Sequence, residues 1–255
     1  MQKRLCALAL AALMLCSCGG EKKGAEKTKK EKPASELTLA QQFSDKLDGG
    51  KYDITMNVTG KNYADGMKCR MWGRDGDGGV SMEEGGVYTE FITIDGGTYM
   101  LVPEVECYEL MDESGGFGNA FIKIGDDDKL VSSDVADGEV TEVFSNEEGD
   151  KFTFVFDEKK GELKTFTAER EAGTTVTEIE SMSWDCKGVE LPDLSTWSDV
   201  GENAAISDIT QLKFSLYVTG GITEDDVIAA GYTYEQICAM DLEERNKITD
   251  ELLGK

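Results

Sequence analysis

The absence of histidine limits the catalytic and metal-binding chemistry that this chain can perform. None of its 255 residues is a histidine. Histidine is the usual general base at neutral pH, a common zinc ligand and a member of serine and cysteine catalytic dyads. The sequence also contains no G-x-S-x-G motif, no Walker phosphate-binding loop and no dinucleotide-binding fingerprint. We therefore predict that the protein is not an enzyme and that it needs no cofactor.

Carboxylates are the most abundant groups that could do chemistry. A pair of them is sufficient for glycoside hydrolysis, but the 47 acidic residues after position 36 make some close pair inevitable in any fold. Asp75-Gly76-Asp77 begins like a calcium loop, yet Gly79, Val80 and Gly86 stand where that loop needs an oxygen ligand, a glycine and a glutamate. We interpret this stretch as a hairpin turn and Asp126-Asp127-Asp128 as a solvated loop, and we predict no metal site.

Cys18 is the residue with the most specific predicted chemistry. Lys3 and Arg4 precede an apolar run over residues 5–15, as in a secretory signal peptide. The sequence Leu-Cys-Ser-Cys at 15–18 resembles the bacterial lipobox, in which the last cysteine receives a diacylglycerol and becomes the mature N-terminus. A transmembrane anchor is the alternative, but the run is about half the ~20 residues that span a bilayer. We predict an exported lipoprotein, anchored to the outer face of the cell membrane by acyl chains such as palmitate on Cys18.

Charge separates the segment after Cys18 from the rest of the chain. Residues 19–36 contain six lysines, four glutamates and, apart from Pro33, no apolar side chain larger than alanine, so they are predicted to form a disordered tether. Flexible-chain scaling gives this tether an r.m.s. reach of ~23 Å. Residues 37–255 contain 18 basic and 47 acidic residues. Because such a field repels nucleic acid and anionic headgroups, we predict no nucleic-acid partner.

Hydrophobic periodicity predicts an α+β fold. Leu39, Phe43 and Leu47 lie four residues apart and predict an amphipathic helix over residues 37–47, which Asp48-Gly49-Gly50 ends. Apolar and polar residues then alternate with a period of two, which predicts roughly eight to ten antiparallel strands. The predicted strands cover residues 52–59, 67–72, 80–84, 87–94, 98–103, 105–110, 138–144, 152–157, 162–169 and 174–186.

Helix-start signatures follow the strands. Thr223, Thr233 and Asp241 each precede an acidic residue or glutamine by three positions and predict two or three short helices. Residues 130–135 are interpreted as a short helical or irregular stretch. The predicted organisation is a signal peptide at 1–17, the lipidated cysteine and tether at 18–36, a β half-barrel domain at 37–200 and a helical tail at 201–255.

Methionine and aromatic side chains of the strands form a candidate ligand site. Methionine adapts its shape, so these residues could line a pliable apolar cavity, with ordinary core packing as the alternative. The candidates are Met56, Met71, Met82, Tyr88, Phe91, Tyr99, Met100, Phe154 and Phe166.

Four cysteines remain in the predicted mature body. Their spacing fits no metal-ligand pattern. Free thiols and any of three disulfide pairings are open alternatives, and the residues concerned are Cys69, Cys107, Cys186 and Cys238.

A family resemblance rests on the strand pattern and two short motifs. Residues 87–110 read VYTEFITIDGGTYMLVPEVECYEL, and the strand region ends at Val189-Glu190-Leu191-Pro192-Asp193. With the opening helix, this pattern resembles the half-barrel lipoproteins, namely the lipoprotein-localisation factors LolA and LolB and the LppX-type envelope lipoproteins. The resemblance covers residues 37–193. It implies a curved antiparallel sheet wrapped on an N-terminal helix, around a cavity that accepts acyl chains.

Two functions are consistent with these features. The first is a membrane-anchored envelope lipoprotein that binds a hydrophobic or lipidic ligand in the half-barrel. The second is a non-catalytic interaction module, in which the helical tail docks an envelope protein partner. The tail residues proposed for that contact are Val227, Ile228, Tyr232, Tyr234, Ile237 and Met240.

Overall fold

The structure, a computed structural model, describes residues 37–61, 63–111, 122–125, 127–187, 190–201, 204 and 206–254. They belong to two compact units. Unit 1 comprises the described residues up to Gly76 together with those of Gly118–Lys187, and unit 2 comprises Asp77–Phe117 together with Gly188–Lys255. The domain boundary predicted at residue 200 stays a prediction.

The predicted α+β class is confirmed, because an N-terminal helix, a mainly antiparallel set of strands and C-terminal helices follow one another. The helices are α1 (Leu39–Asp48), α2 (Asp208–Gly220), α3 (Glu224–Ala229), α4 (Tyr234–Ala239) and α5 (Leu242–Leu252). The strands are β1 (Tyr52–Gly60), β2 (Tyr63–Arg74), β3 (Asp77–Glu84), β4 (Val87–Ile94), β5 (Gly97–Val102), β6 (Cys107–Met111), β7 (Lys129–Ala136), β8 (Glu139–Ser145), β9 (Lys151–Asp157), β10 (Leu163–Arg170), β11 (Gly173–Ser183) and β12 (Ser198–Asp199). Short 3-10 turns occupy Pro103–Val105 and Leu194–Thr196.

Unit 1 is an antiparallel sheet packed on helix α1, which is the architecture that the half-barrel prediction requires. Its strand order is β2-β1-β11-β10-β9-β8-β7. Helix α1 begins with a capping box, in which Thr38 accepts the N–H of Gln41 and the Gln41 side chain accepts the N–H of Thr38. Ala40, Phe43 and Leu47 are at most 3% exposed, so one face of the helix is buried.

Unit 2 combines a smaller sheet with the four C-terminal helices. Its strand order is β12-β6-β5-β4-β3, and the β12–β6 pair is parallel. The predicted tight hairpin between β4 and β5 is confirmed, because Asp95 and Gly96 have φ values of 52° and 79°. The predicted caps Thr223, Thr233 and Asp241 each accept a backbone N–H at the start of a helix.

Two sequence-based predictions are wrong. Residues 130–135, interpreted as helical or irregular, belong to strand β7, which pairs with β8 along its length. A register shift between Leu130 and Ser132 breaks the alternation that would have revealed the strand. The tail contains four helices rather than the two or three predicted, because Asp208–Gly220 forms the additional helix α2. Its sequence, DITQLKFSLYVTG, is rich in β-branched and aromatic residues, so local propensity did not predict a helix there.

Candidate functional site

The inner face of the unit 1 sheet is an apolar surface produced by strand register. Antiparallel pairing places Thr177, Phe166, Phe154 and Glu142 in one row across β11, β10, β9 and β8. All four side chains are at most 5% exposed. Because alternate residues of a strand share a face, the phenylalanines at 152, 154 and 156 also line this surface.

Aromatic rings fill much of this surface. Phe154 lies 4.9 Å from Phe166 and 5.8 Å from Phe144 between ring centroids. Phe43 of α1 makes edge contacts with Phe156 at 6.3 Å and with Trp184 at 5.7 Å. Such geometries stabilise aromatic pairs beyond the area that they bury. The helix and the sheet therefore share one aromatic core.

A buried carboxylate fixes the start of helix α1 on the sheet. Glu142 of β8 is 3% exposed. Its two carboxylate oxygens accept the N–H groups of Leu39 at 3.0 Å and Ala40 at 2.8 Å. These amides have no acceptor within the first turn, and the positive end of the helix dipole favours an anion there. Glu142 thus satisfies two orphan donors and sets where the chain enters the fold.

Four of the nine predicted cavity residues lie on the inner face of unit 1. Met71 pairs with Ile54, and Met56 pairs with Cys69, on the same parity as the buried residues of β1. Met56, Met71, Phe154 and Phe166 are 1%, 3%, 0% and 5% exposed. Side chains around an open void would keep accessible surface, so these four side chains are packed against neighbouring residues.

The other five predicted cavity residues lie in unit 2, on two opposite faces. Phe91 pairs with Met100 and Val80, which puts these side chains on the face that also contains Met82. Tyr88 and Tyr99 have the opposite parity and project from the other face. The structure therefore brings Phe91, Met82 and Met100 together but not Tyr88 and Tyr99. A common ligand cavity for the nine residues stays a prediction.

Helix α2 packs on the unit 2 sheet through a small buried cluster of Val102, Cys107 and Tyr217. The Tyr217 hydroxyl oxygen accepts the N–H of Tyr88 at 3.0 Å. Cys107 is fully buried and donates its S–H to the carbonyl of Val105 at 3.3 Å. Burial raises the pKa of this thiol to about 11.

The C-terminal helices form a core of their own. Leu212, Leu216, Val227, Tyr234, Ile237 and Ile248 are buried together, and Tyr232 and Met240 pack against them. Most tail residues proposed to dock a partner are therefore used within the tail. Ile228 is the exception, with 56% exposure.

Tyr234 combines a buried hydroxyl with a cation. Lys213 places its Nζ 5.0 Å from the centre of the Tyr234 ring. The hydroxyl is buried and, within the described part of the chain, has no hydrogen-bond partner. Burial, and then the negative charges of Glu224 and Asp226, raise the pKa of Tyr234 to about 12. A neutral, unsatisfied hydroxyl thus lies inside the tail.

The acidic motifs are used in local hydrogen bonds. Asp77 accepts the N–H of Asp95 at 3.2 Å, and Asp128 accepts the N–H of Gly125 at 2.6 Å. Burial raises the pKa of Asp128. Among the residues that the structure describes, no group of three or more histidine, cysteine or acidic side chains is arranged to hold a metal ion. Asp126 lies outside the described residues.

The predicted lipidation site, Cys18, also lies outside the described residues. Within those residues, no helix is long and apolar enough to cross a membrane. Cys107 and Cys238 carry free thiols, so the two-disulfide pairings that the sequence left open do not occur.

Comparisons with known proteins give structural neighbours only at low similarity. No family model and no curated protein matches the chain. LprF from Mycobacterium bovis has 14% identity and a TM-score of 0.35, with 61% of this chain and 95% of LprF covered. The complex of MucA with MucB from Pseudomonas aeruginosa matches with 14% identity and a TM-score of 0.34, with 60% of this chain and 58% of that chain covered. A structure of MucB alone has 14% identity and a TM-score of 0.35, with 59% of this chain and 60% of the MucB chain covered.

Proposed function

We propose that this protein is a cell-envelope lipoprotein, held at the outer face of the membrane by lipid on Cys18, whose body binds a hydrophobic or lipidic ligand without catalysis. The observation that supports the ligand is the apolar inner face of unit 1, where Met56 and Met71 join a set of phenylalanines beneath helix α1. Methionine side chains change shape at low cost, so this packed surface can open around an inserted chain.

Helix α1 provides the route for such opening. Its apolar side covers the aromatic rings through Phe43, and its N-terminus is held by Glu142. A ligand that inserts beneath the helix exchanges protein–protein contacts for protein–ligand contacts, so little apolar surface would reach water in either state. The predicted tether joins the body at this same end of α1.

Native mass spectrometry of the gently purified protein tests ligand binding. A co-purifying acyl-containing species that is lost on unfolding would support the proposal. Phe154→Tyr, which adds a hydroxyl to the inner face, should reduce the bound fraction. The matched control is Phe214→Tyr on helix α2 of unit 2, which should leave the bound fraction unchanged. A protein that carries no ligand and takes up no added lipid would contradict this function.

Membrane anchoring has a separate test. Cys18→Ala should release the protein from the membrane fraction without unfolding it, because the predicted tether separates the anchor from the body. Cys238→Ala, which removes a half-buried thiol far along the sequence, is the control and should leave anchoring intact. Persistent membrane association of the Cys18 variant would contradict the lipobox assignment.

The second candidate is a non-catalytic module whose tail docks an envelope protein. The specific observation in its favour is that Ile228 and Leu242 are 56% and 73% exposed on the surface of the tail. Site-specific photocrosslinkers at these two positions should then capture the same protein in intact cells. Capture that is equally strong from an exposed position on β11, such as Glu178, would argue against a specific tail contact.

A further inference from the structure

Strand β7 forms an open edge of the unit 1 sheet. It ends the strand order and, among the described strands, pairs only with β8. In an antiparallel pair, alternate residues direct both backbone groups away from the partner strand. An exposed edge strand therefore presents a row of donors and acceptors that another extended chain can complete.

The apolar inner face continues onto β7, where its apolar side chains are exposed. Leu130 pairs with Phe144, and Val135 pairs with Val140, so both side chains share the face of the buried core. Phe144 is 1% exposed, whereas Leu130 is 46% and Val135 is 62% exposed. Helix α1 reaches β8 through Glu142, and the inner face of β7 beyond it is exposed.

Exposed apolar surface is concentrated on this strand. Six large apolar side chains are exposed in the described part of the chain, and three of them, Leu130, Val131 and Val135, belong to β7. Val131 lies at the register shift, where β7 bulges. We call these three side chains and the outer backbone of β7 the β7 edge. Exposed apolar side chains on an unpaired sheet edge favour pairing with another extended chain.

The negative charge around the β7 edge indicates which kind of partner can bind there. Asp127, Asp134 and Asp137 are exposed on and beside the strand, and Glu147 and Glu148 are exposed in the next hairpin. The single basic residue of the strand, Lys129, lies 3.4 Å from the Glu147 carboxylate. A second copy would bring a like-charged edge against this one, and an anionic membrane would meet the same repulsion.

We propose that the β7 edge binds an extended, basic peptide segment of a protein partner by strand addition. The partner's backbone pairs with β7, alternate apolar side chains cover Leu130 and Val135, and its lysines or arginines meet the surrounding carboxylates. The charge of Asp134, repeated on each copy, opposes edge-to-edge pairing of two copies and favours a basic strand instead. This interaction goes beyond the ligand site under α1 and does not depend on it.

The test measures binding of a labelled peptide of alternating valine and lysine to the full chain by fluorescence anisotropy at low salt. Leu130→Ser/Val135→Ser should weaken binding about tenfold. The double variant Ile228→Ser/Leu242→Ser removes comparably exposed apolar groups from the tail and should leave binding unchanged. The matching valine–glutamate peptide and a valine–lysine peptide with alternate N-methyl groups should both fail to bind.

Several outcomes would overturn the proposal. The first is that the Leu130/Val135 variant binds the valine–lysine peptide as tightly as the unsubstituted protein does. The second is that the valine–glutamate peptide or the N-methylated peptide binds as tightly as the valine–lysine peptide. The third is that only the tail variant loses binding. Concentration-dependent dimerisation that the Leu130/Val135 variant abolishes would identify a second copy as the occupant instead. Binding to anionic vesicles that depends on the same two side chains would identify a membrane surface. Native mass spectra of the variant should show unchanged co-purifying ligand, which separates this test from that of the proposed ligand site.

Discussion

Replacing Glu142 by glutamine should lower the free energy of unfolding by about 2–4 kcal/mol. The carboxylate accepts two N–H groups at the start of α1, and a hydrogen bond to a charged group contributes about 1.5–3 kcal/mol. Glutamine keeps one acceptor oxygen but turns an NH₂ group toward the second amide. The substitution therefore loses one charged bond, leaves a buried donor unsatisfied and removes the anion from the positive end of the helix.

Urea denaturation followed by tryptophan fluorescence measures this change, because Trp184 lies against Phe43 of the same helix. Glu139→Gln is the matched control on the same strand. Its carboxylate bridges Lys164 at 3.0 Å on the surface, where an ion pair contributes about 0–1 kcal/mol. Equal stability of the Glu142→Gln protein and the unsubstituted protein, with an unchanged m-value, would refute the role assigned to the buried carboxylate.

Two further predictions concern unit 2. Tyr234→Phe should leave stability unchanged or raise it by about 1 kcal/mol, because it removes an unsatisfied buried hydroxyl. Tyr217→Phe should lower stability by about 1–2 kcal/mol, because it removes the hydroxyl oxygen that accepts the N–H of Tyr88. The reverse order of the two variants in urea denaturation would contradict both predictions. Iodoacetamide at pH 8 should modify Cys238 much faster than Cys107, as read by peptide mapping, because burial raises the pKa of Cys107 to about 11. As the pH rises, the Cys107 thiol ionises first in the unfolded chain, where its usual pKa is 9.0, and stays protonated to higher pH in the folded protein. Ionisation of Cys107 should therefore lower the free energy of unfolding as the pH rises from 9 to 11. If the Cys107→Ala variant lost as much stability over this range as the unsubstituted protein, the effect could not be assigned to Cys107.

Short-range patterns were predicted well because their causes are local. The spacing of Leu39, Phe43 and Leu47 predicted α1, and period-two alternation predicted most strands. Asp95-Gly96 predicted a tight turn because only small or locally bonded residues take positive φ at low cost. The helix caps at Thr223 and Thr233 follow from one side chain and an amide three residues later.

The candidate site was predicted less completely. The sequence identified the methionines and aromatic residues of the strands. The alternation of strand residues already places Tyr88 and Phe91 on opposite faces, and likewise Tyr99 and Met100. Glu142 was missed because it is one of 51 acidic residues and no local pattern distinguishes it. Strand β7 was missed because its bulge hides the alternation and neither of its faces is well covered.

The sequence by itself determined the absence of histidine chemistry, the acidic field of the body and the local period of each main element, since these depend on residue types and near neighbours. Only the tertiary structure decided which carboxylate is buried, that the β-rich sequence of α2 forms a helix, and that the apolar face ends uncovered at β7. The physical reason is the distance along the chain. Glu142 meets amides 102 and 103 residues away, and only the folded sheet brings them into contact.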